Sequence, residues 1–222
     1  MDCLQLEDER KCLESKLNKL YDDDDDVISG EKLNMLNPYP LYTIKNEPTG
    51  VTYIRLYREK EIFWILHAYV DTPHVYRVSV PNDAIVNIHW HRFETETYKV
   101  EETFDIGKFI NMNPLKAVKH CDWALKYVNP QTYEICKEAV TYNPLSLQYV
   151  ERQTEELCLI AINHKRSGWL ALEFVKEQTH EMCMLAVSME GLALRFVADQ
   201  TDDIRNVAIQ NTRHARHYVK YS

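Results

Sequence analysis

The sequence predicts an α+β protein, a small N-terminal antiparallel-sheet domain followed by an all-α solenoid of short helical hairpin repeats. Three observations carry that expectation. Prolines punctuate residues 38–106, among dense β-branched and aromatic residues. From about residue 107 the apolar period changes to that of helices. A Gln-Thr pair then recurs at Gln131-Thr132, Gln153-Thr154, Gln178-Thr179 and Gln200-Thr201, which sets a repeat of about 22 residues.

The 222 residues suffice for one large domain or two small ones, and an apolar fraction of 45% supplies a core. Five glycines and the absence of any GxGxxG or Walker-type sequence argue against a fold built on phosphate-binding loops. The net charge of −8 argues against non-specific nucleic-acid binding, although the run Asp22 to Asp26 accounts for part of it. The six cysteines form no CxxC pair, the opening is charged, and no stretch approaches the ~20 apolar residues of a membrane span. A soluble protein with free thiols in a reducing compartment is therefore expected.

Residues 1–36 read as an N-terminal helix and acidic linker. Leu4, Leu13, Leu17 and Leu20 fall near one helical face within residues 3–20, and Val27 to Lys32 continue the linker. Residues 37–106 read as a small α+β domain. Strands are expected over Leu41–Ile44, Val51–Tyr57, Val75–Val80, Ala84–His91 and Phe93–Val100, with a turn at Pro81-Asn82-Asp83. Glu61 to Val70 fits either a short helix or a strand.

Residues 107–222 read as the repeat array with a polar C-terminal cap. Each Thr of the Gln-Thr pairs suits an N-cap. An acid follows it two residues on (Glu134, Glu156, Glu181, Asp203), favourable at the positive end of a helix. Ala139-Val140, Ala161-Ile162, Ala186-Val187 and Ala208-Ile209 supply the buried face. Leu147-Gln148-Tyr149-Val150, Leu172-Glu173-Phe174-Val175 and Leu194-Arg195-Phe196-Val197 mark a second short helix, and an incomplete earlier copy ends at Tyr127-Val128. The insertion His164 to Gly168 reads as an exposed loop. Helices this short are not stable alone, so the units must stack.

Gln131-Thr132-Tyr133-Glu134-Ile135-Cys136, Gln153-Thr154-Glu155-Glu156-Leu157-Cys158 and Gln178-Thr179-His180-Glu181-Met182-Cys183, with their ALxYV-like closings, carry a resemblance. Residues 112–220 resemble the tandem short helical repeats of unknown function in giant DNA virus proteins. Val75 to Ala84 with Glu96 to Val100 look like the small β-rich domain that precedes such repeats. The resemblance implies a viral origin, the host cytoplasm or viral factory as location, and an interaction role rather than a reaction.

The candidate chemistry is sparse. Cys136, Cys158 and Cys183 recur at one position, but neighbouring repeats stand on the order of 10 Å apart and zinc needs all its ligands within about 2.3 Å. They read as small buried hydrophobes, and no metal or cofactor is expected. His89 and His91 would share a strand face without a third ligand. His120-Cys121 and His180-Glu181 are neighbours along a helix and do not face each other. Glu94, Glu96, Glu101 and Glu102 fit paired carboxylates for acid–base work or, equally well, charges guarding an edge strand. The enzyme alternative is an ADP-ribosyltransferase-like site built on Arg77 and Glu96. The leading expectation is a non-enzymatic scaffold for a viral or host protein partner, with no membrane association, reading it through Gln148, Glu173 and Arg195. The alternative surface is the basic end, where Arg205, Arg213, His214, Arg216, His217 and Lys220 would meet nucleic-acid phosphate and Tyr218 and Tyr221 would stack on bases.

Overall fold

A computed structural model describes residues 27–37, 39–44, 54–58, 62–63, 66, 74–89 and 92–220. The expected helix over residues 3–20, the acidic run, Cys3, Cys12, His91 and Tyr221 lie outside the described residues. The chain divides into two compact parts, Met1–Met112 and Asn113–Ser222. The fold class is α+β.

The N-terminal part holds an antiparallel sheet of strands β1 (Val27–Ser29), β2 (Leu41–Thr43), β3 (Ile54–Arg58), β4 (His74–Ser79), β5 (Ile85–His89), β6 (Arg92–Thr95) and β7 (Lys99–Asp105). Their order across the sheet is β1-β5-β6-β3-β2-β4-β7. The connection from β6 to β7 joins strands four places apart. A flat sheet would set those strands ~19 Å apart, whereas the four peptide steps from Thr95 to Lys99 reach at most ~14 Å. The sheet must therefore curl, and its concave side encloses Leu41 and Val78 from one half with Val86, Ile88, Leu56 and Phe93 from the other.

Val27 to Lys32 are not a linker. Val27–Ser29 pairs with β5, Ser29 caps helix α1 (Gly30–Leu36) by accepting from the Lys32 amide, and Leu33 is fully buried in the sheet core. Gly30 is required there, because a Cβ would lie 1.8 Å from the Pro81 carbonyl oxygen. Phe93 to Val100 is not one strand either. The chain bends at Glu96, where the Thr95 hydroxyl and the Thr97 amide meet at 3.2 Å. Between Glu61 and Val70, Ile62, Phe63 and Leu66 are helical and buried. Helix α2 (Ile106–Met112) belongs to this part, not to the repeat array that the sequence places from residue 107. Phe109 fixes it, with ring centroids 5.1 Å from Tyr42, 5.2 Å from Phe63 and 5.8 Å from Phe104.

The C-terminal part alternates α-helices with 3₁₀ turns. It begins with α3 (Pro114–His120) and the turn η1 (Ala124–Tyr127). Four units follow, opened by Gln131, Gln153, Gln178 and Gln200. The first holds α4 (Tyr133–Tyr142) and η2 (Pro144–Tyr149). The second holds α5 (Glu155–Ile162), α6 (Gly168–Ala171) and η3 (Leu172–Phe174). The third holds α7 (His180–Met189) and η4 (Gly191–Phe196), and the fourth α8 (Asp202–Asn211) and η5 (Arg213–Tyr218).

The second short helix expected in each unit, its second arm, is 3₁₀ in the first, third and fourth units. Only about six residues separate the cap from the extended valine that ends the arm. A 3₁₀ turn rises ~2.0 Å per residue against ~1.5 Å, so it spans that gap with fewer residues. Where the His164 to Gly168 insertion adds length, the arm opens as a true α-helical turn.

Thr132, Thr154 and Thr179 cap α4, α5 and α7 by accepting from the Ile135, Leu157 and Met182 amides. Thr201 does not cap α8, because its hydroxyl donates to the Asp203 carboxylate, which itself accepts from the Ile204 amide. No helix among the described residues is long and apolar enough to cross a membrane.

Candidate functional site

The 3₁₀ turns build the candidate surface, and one side chain per unit holds them in line. Gln131 donates through Nε2 to the Leu125 carbonyl (3.0 Å) and the Tyr149 carbonyl (2.9 Å), joining η1 to η2. Gln153 does the same to Leu147 and Phe174, Gln178 to Leu172 and Phe196, and Gln200 to Leu194 and Tyr218. Each Oε1 accepts a backbone amide just beyond the second turn, from Glu151, Lys176, Ala198 and Lys220 at 2.8 to 3.0 Å.

The geometry explains why a 3₁₀ arm serves. The leucine carbonyl at the end of each turn has two lone pairs. One takes the valine amide three residues on, as Leu147 takes Val150 at 3.1 Å, and the other takes the glutamine of the next unit at 3.1 Å. In three units the buried cysteine completes the set, with Sγ 3.6 to 3.8 Å from Oε1. Burial pushes all three thiols up in pKa, and pushes Cys121 up to about 12. They therefore stay protonated and chemically quiet at neutral pH.

Sequence reasoning used these glutamines only to mark the repeat and missed their role. The signal was present: an uncharged polar residue recurs in register between core positions, where a polar group must be hydrogen-bonded.

With the turns fixed, Gln148, Glu173 and Arg195 occupy the same place in η2, η3 and η4, and all three are exposed. Lys126 and His217 continue the series in η1 and η5, also exposed. Arg195 lies over two aromatic rings. Its guanidinium stands 4.4 Å from the Phe196 ring centroid and 5.4 Å from that of Trp169. Trp169 and Phe196 come from successive units with centroids 6.2 Å apart. On the α-helical side, ion pairs link neighbouring units, Lys119 with Glu138 at 2.7 Å and Lys137 with Glu156 at 3.7 Å, and the His180 imidazole lies 3.1 Å from the Asp203 carboxylate.

At the basic end Arg213, Arg216, His214 and His217 are exposed. Lys220 is committed elsewhere, donating through Nζ to the Val197 carbonyl at 2.8 Å. Arg205 is paired with Asp202. The basic cluster read from the sequence is therefore smaller than its residue count.

In the N-terminal part, Glu94 is no edge charge. Strand β6 lies between β5 and β3, and Glu94 is 8% exposed. Its Oε1 accepts from Arg92 (3.0 Å) and Arg55 (3.4 Å), and its Oε2 lies 3.2 Å from His89. Glu101 and Glu102 do stand on an edge strand. Arg77 pairs with Glu102 at 2.9 Å, while Glu96 is exposed in the bend after β6, so Arg77 and Glu96 are not opposite one another. Among the described residues no group of three His, Cys, Asp or Glu converges to hold a metal ion.

No family model, curated protein or solved structure matches this chain.

Proposed function

We propose that residues 113–222 form an α-solenoid that serves as a non-enzymatic protein-interaction scaffold, with the exposed residues of the 3₁₀ turns as its binding face. The giant-virus origin of that scaffold rests on the resemblance of its repeat motifs. The observation that carries the functional reading is the glutamine series. It holds five successive turns in line through backbone groups, and Lys126, Gln148, Glu173, Arg195 and His217 stay exposed on them. Each helix also packs on the next, α3 on α4, α4 on α5, α5 on α7 and α7 on α8, as nearest-neighbour stacking requires. Stacked units of this kind present an extended surface whose chemistry changes from one turn to the next.

The test compares the tagged full chain with a variant carrying Gln148→Glu, Glu173→Lys and Arg195→Glu, both used as bait in host lysate with quantitative mass spectrometry. Circular dichroism of both baits checks that the fold is kept. A discrete protein held by the parent and lost by the variant supports the reading. The same captured set from both baits refutes the 3₁₀ face as the binding surface. Capture abolished by nuclease treatment and by moderate salt would transfer the function to nucleic-acid binding.

A further inference from the structure

The backbone amides of Glu151, Lys176, Ala198 and Lys220 occupy one equivalent position, each donating to the Oε1 of the glutamine that opens its unit. Their side chains differ, and the difference matters at the junctions. Lys176 turns back onto the preceding turn and donates through Nζ to the carbonyls of Val150 (3.1 Å) and Glu151 (2.9 Å). Lys220 donates to the carbonyl of Val197 at 2.8 Å. Two junctions are thus closed by an ammonium on a four-carbon stem, seated on the carbonyls that end a 3₁₀ arm.

Between them, at the junction of the second and third units, the equivalent residue is Ala198, which has no amine to offer. Here the structure has a cavity of about 240 Å³ lined by Val175, Lys176, Thr179, Ala198, Asp199 and Thr201, among others. Val175 and Lys176 hold the positions that Val150 and Glu151 hold in the closed junction. Sites for drug-sized ligands run to ~300–1,000 Å³, so this one suits a single side chain or a small alkyl ligand.

The electrostatics agree. Burial and the Glu155 carboxylate push the Cys158 thiol up in pKa, and the Lys176 ammonium opposes them. Beside Cys183, which lines the cavity, burial and then the Asp199 carboxylate push the thiol up, with no ammonium opposing them. The Lys176 ammonium itself points away to the preceding junction. His180, also at the cavity, lies beside the Asp203 carboxylate.

We propose that this cavity binds a protonated primary amine on an alkyl stem, held as Lys176 and Lys220 are held, by the carbonyls of Val175 and Lys176 with Asp199 as counter-charge. The amine is either a lysine side chain presented by a partner or a free small amine, and the chemistry is shared. The inference does not depend on the scaffold reading.

The test uses the isotope-labelled full chain and nuclear magnetic resonance. The probes are n-butylammonium and Nα-acetyl-lysine methylamide, with n-butanol and Nα-acetyl-norleucine methylamide as neutral controls. Millimolar amine should shift the amides of Thr179, Ala198 and Asp199 while the controls leave them in place. Binding of the lysine derivative points to a partner's side chain, and binding of butylammonium alone points to a free amine. The Ala198→Lys variant should fill the cavity from within, abolish the shifts and raise Tm by roughly 2–4 °C. Should that variant fail to fold, Lys176→Ala, which opens the neighbouring junction, decides instead. Recovery of its lost Tm by butylammonium, and not by butanol, supports the site, and no recovery overturns it. In the parent chain, no amide shifts, or equal shifts from the neutral controls, overturn it as well.

Discussion

Replacing Gln178 tests whether the side-chain bridge stabilises the array or only accompanies it. Methionine keeps the length of the stem and removes the amide. The Leu172 carbonyl would keep its bond from the Val175 amide (3.3 Å) and lose its second partner. The Phe196 carbonyl and the Ala198 amide would lose their bonds of 2.9 Å each. A lost neutral hydrogen bond costs ~1 kcal/mol net, and a buried group left unpaired costs ~1–3 kcal/mol. Both ends are partly reached by water, so the sum falls at about 2–4 kcal/mol.

For a part of this size that corresponds to a fall in Tm of roughly 10 °C. Urea unfolding followed by far-UV circular dichroism reads the helical units directly. Since each unit leans on its neighbours, a weakened junction should also lower the m-value as the two sides begin to unfold separately. Gln178→Glu should be worse than Gln178→Met, because a carboxylate can still accept from Ala198 but faces two carbonyls with nothing to donate. A Gln178→Met variant within about 0.5 kcal/mol of the parent, or a Glu variant more stable than the Met variant, would refute the bridging role. Glu173→Ala, at an exposed position, is the control and should stay within ~0.5 kcal/mol.

The same unfolding assay should rank two caps that look identical in sequence: Thr154→Ala should cost ~1 kcal/mol, and Thr201→Ala less than half of that, because only Thr154 accepts a helix amide. Cys121 has its pKa raised from 9.0 to about 12, so its contribution is complete below pH 9 and is lost as pH climbs toward 12; urea stability should fall over that range, and by less in Cys121→Ala. Maleimide labelling at neutral pH, mapped by mass spectrometry, should leave Cys121, Cys136, Cys158 and Cys183 unmodified until the chain unfolds, and rapid native labelling of any of them would contradict their burial. Glu94→Gln should destabilise the sheet by about 1–3 kcal/mol, a figure reduced because its Arg55 and Arg92 partners are each 38% exposed; an unchanged thermal melt would show the cluster to be energetically neutral.

Legibility followed the range of the interactions. The alternation of Val75 to Val80 and the turn at Asn82-Asp83 are local, and the structure has β4 and a turn there. The strand over Phe93 to Val100 failed because its alternation runs on through Glu96 and Tyr98, where the chain bends. The burial of Glu94 could not be read, since it follows from β6 lying between β3 and β5, an order set by non-local pairing. Val27 to Ser29 looked like the tail of an acidic linker because its partner strand begins at Ile85. In the array, apolar spacing fits a 3₁₀ turn and a short α-helix equally well. What distinguishes them is a leucine carbonyl that serves two donors, and backbone acceptors leave no mark in sequence. The glutamine bridges span up to 23 residues and end on backbone groups, so they too were visible only as a recurrence.

The position shared by Glu151, Lys176, Ala198 and Lys220 separates what the array needs from what it can vary. The stabilising bond runs from the backbone amide to a glutamine, and any residue with an N–H supplies it. The side chain at the same residue is left to decide whether the junction is closed by an ammonium or left open. The exposed places in the turns behave alike, since Gln148, Glu173 and Arg195 hang from a backbone fixed through the residues beside them. A surface built this way can exchange acid, base and amide at each step while the glutamine bonds between units stay in place, because those bonds end on backbone groups. Such decoupling suits recognition of a partner better than catalysis, which requires several side chains held to one geometry by their own packing.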